Sequence, residues 1–139
     1  MTLSRIEEFD NRIIFAKRLS VDEHLSRHRL ADLFLDTIPY NAHTTASDAL
    51  WSGVPVLTCL GSTFPGRVSS SLLHAIGLPE IIAPSLAEYE TMAIYLAKNP
   101  HKLSTIRLKL QENTKIFPLF NSNLYTQNLE AAYIKMYEI

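Results

Sequence analysis

The chain has 139 residues, 47% of them hydrophobic, and a formal net charge of −1 at pH 7. This length predicts one domain over residues 1–139 with a buried core, and the near-zero charge argues against general attraction to nucleic acid or to an anionic membrane. Cys59 is the single cysteine, so a disulfide framework is excluded and a reducing, cytoplasmic setting is expected. No apolar run approaches the length of a membrane span, and residues 1–9 lack the apolar core of a signal peptide.

Apolar runs alternate with helix-capping patterns along the chain. Ser20 and Glu23 form a capping box, and Ser85 and Glu88 repeat it. The predicted elements, in order, are a helix over 1–9, a turn at 10–11, a strand over 12–16, a helix from 20 to about 29, a strand over 33–35, a helix over 45–52, a strand over 54–58, a helix over 67–76, a strand over 80–83, and helices over 85–98, 99–115 and 121–137.

The alternation of strands and helices between residues 12 and 98 determines the fold class. It requires parallel strands joined by right-handed helical crossovers. We therefore predict an α/β fold, a Rossmann-like parallel sheet, with two or more helices at the C-terminal end. Ligands of such sheets bind at the carboxyl ends of the strands, where the loops over 17–20, 37–44 and 58–66 are expected to meet.

The middle loop leads into a helix that has the features of an anion site. Thr44 or Thr45 is predicted as its N-cap, and a helix start carries free N–H groups and roughly half a positive charge. Two hydroxyls and the imidazole of His43 lie at this point, and phosphate is the usual anion at such a site. Asp48, one turn further, repels phosphate but can accept hydrogen bonds from ribose hydroxyls. The alternative is an ordinary helix cap with a surface histidine and aspartate. The anion-site assignment requires an unburied His43 imidazole and a turn that faces the ligand edge.

His24 and Arg27 are three residues apart on the first predicted crossover helix and share one face. An imidazole and a guanidinium there can hold a nucleobase by stacking and hydrogen bonding. The alternative is an ion pair between Glu23 and Arg27, with His24 and His28 solvated. Arg67, at the start of a later helix on the ligand edge, can bind an anion or a carboxylate.

Several motifs of other protein classes are absent from the sequence. It has no glycine-rich dinucleotide fingerprint, no P-loop and no nucleophile elbow. His24 and His28 are four residues apart, as two metal ligands on a helix can be, but the sequence pattern offers no third ligand beside them. No metal cofactor is therefore expected. A flavodoxin-like signalling domain needs an acidic cluster after its first strand, where this chain has Lys17 and Arg18.

Two segments, Leu30–Thr37 and Asn41–Val56, resemble the C-terminal catalytic lobe of protein O-GlcNAc transferases, including bacterial tetratricopeptide-linked homologues and plant Spindly-type fucosyltransferases. The most specific part is Asn-x-His-Thr-Thr-x-x-Asp followed by Trp-x-Gly-x-Pro. The resemblance continues through Arg67–Ser71, Glu88–Glu90, Pro118–Asn121, Tyr125–Thr126 and Leu129–Glu130.

The resemblance implies a GT-B fold, in which two Rossmann-like lobes bind a nucleotide sugar in the cleft between them. It implies transfer of N-acetylglucosamine, or of fucose in the Spindly branch, to Ser or Thr of an acceptor protein without a metal. One departure is Val21, where the animal enzymes carry a lysine. The implied roles are diphosphate binding by His43, Thr44 and Thr45, ribose binding by Asp48, and uracil contacts from His24, Arg27 and the main chain of Leu19.

The resemblance also implies that parts of the family's catalytic region are missing from this chain. Two strands, and the lysine between them that neutralises the leaving diphosphate, should precede Arg12, and the catalytic histidines belong to an N-terminal lobe. We therefore expect a chain truncated at its N-terminus that has little or no turnover by itself, or a partner-binding module of the same ancestry. The strand at 12–15 should then lose its neighbour. The sheet should either rearrange or pair through its exposed edge with the missing lobe or a second copy.

Overall fold

The computed structural model of the protein describes residues 12–138. Within this range six α-helices surround a small parallel sheet, and short 3₁₀ turns precede α3 and β3 and link α5 to α6. The predicted helix over 1–9 and turn at 10–11 lie outside the described residues. The elements are α1 Val21–His28, β1 Phe34–Leu35, α2 Thr44–Trp51, β2 Val56–Cys59, α3 Val68–Ala75, β3 Ile82–Ala83, α4 Leu86–Lys98, α5 Pro100–Ile116 and α6 Ser122–Tyr137.

The sheet has the order β1-β2-β3, and both pairings are parallel. Phe34 lies opposite Val56, and Thr58 lies opposite Ile82. All four residues of β2 are buried, as expected for the central strand of a sheet covered on both faces. The predicted α/β class, with a Rossmann-like parallel sheet, is confirmed.

The predicted strand over 12–16 is wrong. Residues 13–20 have no regular secondary structure, and the side chains of Ile14 and Phe15 are 89% and 90% exposed. A strand is stable only when its backbone groups pair with a neighbour. Residues 13–20 pair with none of the three strands described in residues 12–138, so the apolar run lacks the neighbour that a strand needs.

Local sequence signals set most helix boundaries correctly. Glu23 Oε2 accepts hydrogen bonds from Ser20 N at 3.1 Å and Ser20 Oγ at 2.7 Å, so the first capping box forms. Ser85 Oγ accepts from Glu88 N at 3.2 Å at the start of α4. Gly77 follows α3 with φ of +73°, a left-handed conformation that favours glycine.

None of the helices in residues 12–138 is both long and apolar enough to cross a membrane.

Candidate functional site

Two loops meet at the carboxyl edge of the sheet. The first, residues 36–43, joins β1 to α2, and the second, residues 60–64, follows β2. The second loop closes on itself through a hydrogen bond from Gly61 N to Gly66 O at 2.8 Å. A Cβ on Gly66 would lie 3.1 Å from Gly61 Cα and 3.5 Å from the carbonyl oxygen of Pro39. The backbones of the two loops therefore touch at this edge.

A buried polar network fixes the first loop to the sheet. The Asp36 side chain is 4% exposed. Its Oδ1 accepts from Thr37 N at 2.9 Å and Ala42 N at 2.7 Å, and its Oδ2 accepts from Thr58 Oγ1 at 2.6 Å. Asn41 Nδ2 donates to Thr58 Oγ1 at 2.8 Å and to the Cys59 carbonyl at 3.0 Å. These bonds satisfy the carboxylate in a dry environment.

The same network extends to two neighbouring helices. Ser69 Oγ of α3 donates to the Ala42 carbonyl at 2.7 Å, and Tyr89 Oη of α4 donates to the Asp36 carbonyl at 2.9 Å. Burial, with a contribution from the nearby Asp36 carboxylate, raises the pKa of Tyr89 above its usual value. The loop before α2 is thus held by the sheet through Asp36 and by α3 and α4.

The structure corrects the predicted cap of α2. The N-cap residue is His43, with φ of −112° and ψ of −93°, and no side chain caps the helix. Thr44 and Thr45 are the first two helical residues. Both are exposed, and their hydroxyls make no hydrogen bond within residues 12–138. The first intrahelical bond runs from Ser47 N to His43 O, so the N–H groups from His43 to Ala46 lack an intrahelical acceptor.

The imidazole of His43 lies half-buried between two aromatic rings. It stacks on Tyr40 at a centroid distance of 5.2 Å and meets the edge of Phe64 at 6.2 Å. Its Nε2 atom is shielded from solvent and has no hydrogen-bond partner among the described residues. The turn faces the ligand edge, as the anion-site assignment requires, and the ring is not fully buried. A ligand needs a shift of the surrounding side chains to reach Nε2.

A groove of about 500 Å³ lies between the start of α1 and the face of α2. Four of the predicted site residues line it, and Val21 is 73% exposed on its wall. His43, Thr44 and Thr45 are not among its lining residues and form a separate part of the candidate site, one turn away along α2. The groove is lined by Ala16, Lys17, Arg18, Leu19, Val21, His24, Arg27 and Asp48.

A chain of hydrogen bonds organises the floor of this groove. Arg27 Nη1 donates to the Lys17 carbonyl at 2.8 Å, and Arg27 Nη2 lies 2.9 Å from His24 Nδ1. The Nε2 atoms of His24 and His28 are 3.2 Å apart. The sequence alternative, an ion pair of Glu23 with Arg27, is wrong because Glu23 bonds to Ser20 instead. The companion idea that His24 and His28 are solvated is also wrong, because both are half-buried.

Sequence reasoning missed the residues that position the site. In the sequence, Asp36 and Thr58 are single polar residues at the ends of apolar strands, and Asn41 is typical of a turn. None of these patterns predicts the buried network that the three side chains form. A polar residue directly after a buried strand was the available signal. Arg67 is exposed and lines a separate depression beside Phe64, and within residues 12–138 it forms no ion pair.

The donor atoms of the site do not assemble into a metal centre. No group of three or more His, Cys, Asp or Glu side chains in residues 12–138 could hold a metal ion. The site instead offers helix N–H groups, hydroxyls, a guanidinium and imidazoles. These are groups that bind an anion and an aromatic base.

The fold defines an α/β protein with a Rossmann-like parallel sheet, and comparison with known proteins gives the family. Residues 2–129 match the model of glycosyl transferase family 41. The chain therefore belongs to this family, whose members are glycosyltransferases.

Curated relatives and a solved structure agree with this assignment. A probable UDP-N-acetylglucosamine–peptide N-acetylglucosaminyltransferase, SEC, of Arabidopsis thaliana is 40% identical over 130 residues, covering 93% of this chain. The enzyme named UDP-N-acetylglucosamine–peptide N-acetylglucosaminyltransferase in Caenorhabditis elegans is 35% identical over 86% of the chain. A lysine-to-methionine mutant of Thermobaculum terrenum O-GlcNAc transferase superposes with a TM-score of 0.85 and 32% identity over 91% of the chain.

The chain is much shorter than these proteins. It spans 13% of the Arabidopsis relative, 10% of the Caenorhabditis relative and 24% of the Thermobaculum chain. The expected resemblance to the GT-B catalytic lobe of O-GlcNAc transferases is confirmed over the segment that these proteins share.

Proposed function

We propose that this chain is the UDP-sugar-binding part of a protein O-linked glycosyltransferase that transfers N-acetylglucosamine, or a related sugar, to Ser or Thr of acceptor proteins. The family and the names of the relatives support the reaction class. The observation that carries the donor-binding assignment is the placement of the groove at His24, Arg27 and Asp48. Asp48, which lines this groove, lies one helical turn from the free N–H groups at the start of α2.

The two parts of the site match the two ends of a nucleoside diphosphate. The diphosphate binds at His43, Thr44 and Thr45, where the helix dipole and two exposed hydroxyls stabilise its charge. Asp48 lies four residues beyond Thr44, about 6 Å along the helix axis, and accepts hydrogen bonds from the ribose. His24, Arg27 and the main chain of Leu19 then contact the uracil. The anion needs no metal in this arrangement.

A second candidate function is a catalytically inactive module with the same ancestry, which binds a partner protein. The observation that favours it is the imidazole of His43, whose Nε2 atom is shielded from solvent and has no hydrogen-bond partner among the described residues. The chain then retains the nucleotide groove as an inherited structure. The two candidates differ in turnover, with or without a complementing N-terminal lobe.

The first test is a titration of the isotope-labelled chain with UDP, followed by amide chemical shifts. Shifts should concentrate at residues 19–27 and 43–48. Arg27→Gln should weaken binding by about tenfold or more, because it removes a charged donor from the groove. Arg29→Gln is the matched control, since Arg29 is an exposed arginine at the end of the same helix, and its affinity should stay within twofold of the parent chain. Shifts spread over α5 and α6 instead would contradict the assignment.

The second test is sugar transfer from UDP-N-acetylglucosamine to an acceptor protein. We expect little or no turnover from the isolated chain, because removing catalytic groups costs orders of magnitude in rate. Turnover restored by adding a separately produced N-terminal lobe favours the enzymatic function. UDP binding without any turnover in that mixture favours the inactive module.

A further inference from the structure

The three side chains Arg27, His24 and His28 form one continuous chain of hydrogen bonds along α1. Arg27 Nη2 lies 2.9 Å from His24 Nδ1, and His24 Nε2 lies 3.2 Å from His28 Nε2. The two imidazoles meet edge to face, with centroids 4.7 Å apart. His28 does not line the groove described above, so its link to the ligand passes through His24.

The chemistry of the donors fixes the protons in this chain. A guanidinium can only donate, so the Nδ1 atom of His24 must accept and therefore carries no proton. A neutral His24 then has its proton on Nε2 and donates it to His28 Nε2. His28 must in turn carry its own proton on Nδ1.

We propose that His28 is a positioning residue of the nucleotide groove, whose Nε2 atom accepts a hydrogen bond from the Nε2–H group of His24 and so keeps His24 Nδ1 free to hold the Arg27 guanidinium. The consequence for ligand affinity rests on the proposed UDP-sugar binding, whereas the proton arrangement does not. Arg27 is fixed at its other end by the Lys17 carbonyl. Loss of the His24 bond would leave the guanidinium held from one side only.

The surroundings favour the neutral form of His28. Burial lowers the pKa of His28, a protonated His24 and the Arg27 charge would each lower it further, and Asp48 of α2 opposes them. Lys17 and Arg18 of the preceding segment line the adjoining groove. Protonation of His28 on Nε2 would place two donors face to face, and His24 could respond only by moving its own proton to Nδ1, against Arg27.

Imidazole tautomers can be read directly from nitrogen chemical shifts of the histidine-labelled chain at pH 7.5, without any ligand. The expected pattern is Nε2–H for His24 and Nδ1–H for His28, the second being the less common form of free imidazole in water. In His28→Ala, the Nε2–H group of His24 loses its acceptor, so the His24 nitrogen shifts should change and the Arg27 side-chain resonances should shift. A His28 that carries its proton on Nε2, or a His24 signal unchanged by His28→Ala, would overturn the proposal.

The second readout is the binding of UDP-N-acetylglucosamine. The diphosphate of this ligand is substituted at both ends and does not titrate near neutral pH, so a difference in affinity between variants comes from the protein. His28→Ala should weaken binding by about threefold to tenfold, the worth of one hydrogen bond. His28→Gln, which keeps a carbonyl acceptor, should restore binding to within twofold of the parent chain. Equal affinities of the alanine variant and the parent chain, or a glutamine variant as weak as alanine, would overturn the link to the ligand. If the parent chain binds no nucleotide sugar, the proposed function fails, and the tautomer measurement still decides the role of His28.

Discussion

Asp36→Asn is the sharpest test of the network that positions α2. The carboxylate accepts three hydrogen bonds and is almost fully buried. An asparagine can keep its carbonyl oxygen on the backbone N–H groups of Thr37 and Ala42. Its amide group then faces Thr58 Oγ1, which already accepts from Asn41. The hydroxyl proton of Thr58 loses its acceptor.

One local rearrangement could rescue that proton, and its cost can be worked out. The Oδ1 atom of Asn41 is buried and has no partner among the described residues, so a flip of the Asn41 amide would present it to Thr58. The flip would break the bond to the Cys59 carbonyl at 3.0 Å and place two acceptors together. A hydrogen bond to a charged group contributes about 1.5–3 kcal/mol and a neutral one about 0.5–1.5 kcal/mol. Together they give an expected loss of about 2–4.5 kcal/mol.

Urea denaturation followed by circular dichroism measures this loss. With an m value of about 2 kcal/mol/M the midpoint should fall by about 1–2 M. Asp32→Asn is the matched control, because the Asp32 side chain is 85% exposed and its nearest cation, Arg107, lies 3.9 Å away. Its free energy of unfolding should change by no more than about 0.5 kcal/mol.

Two outcomes would refute the reasoning. The first is an Asp36→Asn variant as stable as the Asp32→Asn control. The second is a double-mutant cycle with Thr58→Val that shows additive effects, because residues in one hydrogen-bond network should couple by about 0.5–3 kcal/mol.

The remaining predictions concern backbone strain and alkaline pH. Gly77→Ala should destabilise the chain by about 2 kcal/mol or more, since a Cβ there would lie 2.4 Å from the Phe117 ring. Gly53→Ala has the same left-handed strain but a Cβ there meets open space, so this variant should lose only about 1 kcal/mol. Equal losses of stability in thermal unfolding would contradict the argument that the Phe117 ring causes the larger effect. Tyr89→Phe should lose about 1 kcal/mol near neutral pH, the value of its hydrogen bond to the Asp36 carbonyl. Because the pKa of Tyr89 is raised in the folded chain, its contribution is present below pH 10 and is lost as pH rises through the raised pKa. Unfolding curves of the parent chain should therefore show an alkaline loss of stability that the phenylalanine variant shows less, and identical alkaline slopes would contradict it.

The parts of the fold that the sequence predicted correctly are those determined locally. Ser20 and Ser85 cap helices because the serine and the glutamate three residues later are enough to form the cap. The strands at 34–35 and 56–59 follow from short apolar runs between turn residues. The run at 12–16 has the same character but forms no strand, because strand formation depends on a neighbour that a single segment cannot reveal.

The candidate site was predictable as a set of residues but not as an arrangement. The spacing placed His24 and Arg27 on one helix face, and the structure joins them by a hydrogen bond. Spacing could not show that His28 completes the chain, since i,i+4 histidines are equally compatible with solvation. The cap of α2 was misplaced by one residue because threonine is a good N-cap by preference, whereas the loop geometry at His43 is set by the buried Asp36 network.

The two halves of the candidate site are held by different contacts. The hydrogen bonds of Asp36 attach the start of α2 to the sheet. The hydrogen bond from Arg27 to the Lys17 carbonyl fixes the floor of the groove beside α1. The packing of α1 against α2 sets the distance between these halves. Each half of the candidate site is therefore held by contacts made within residues 12–138.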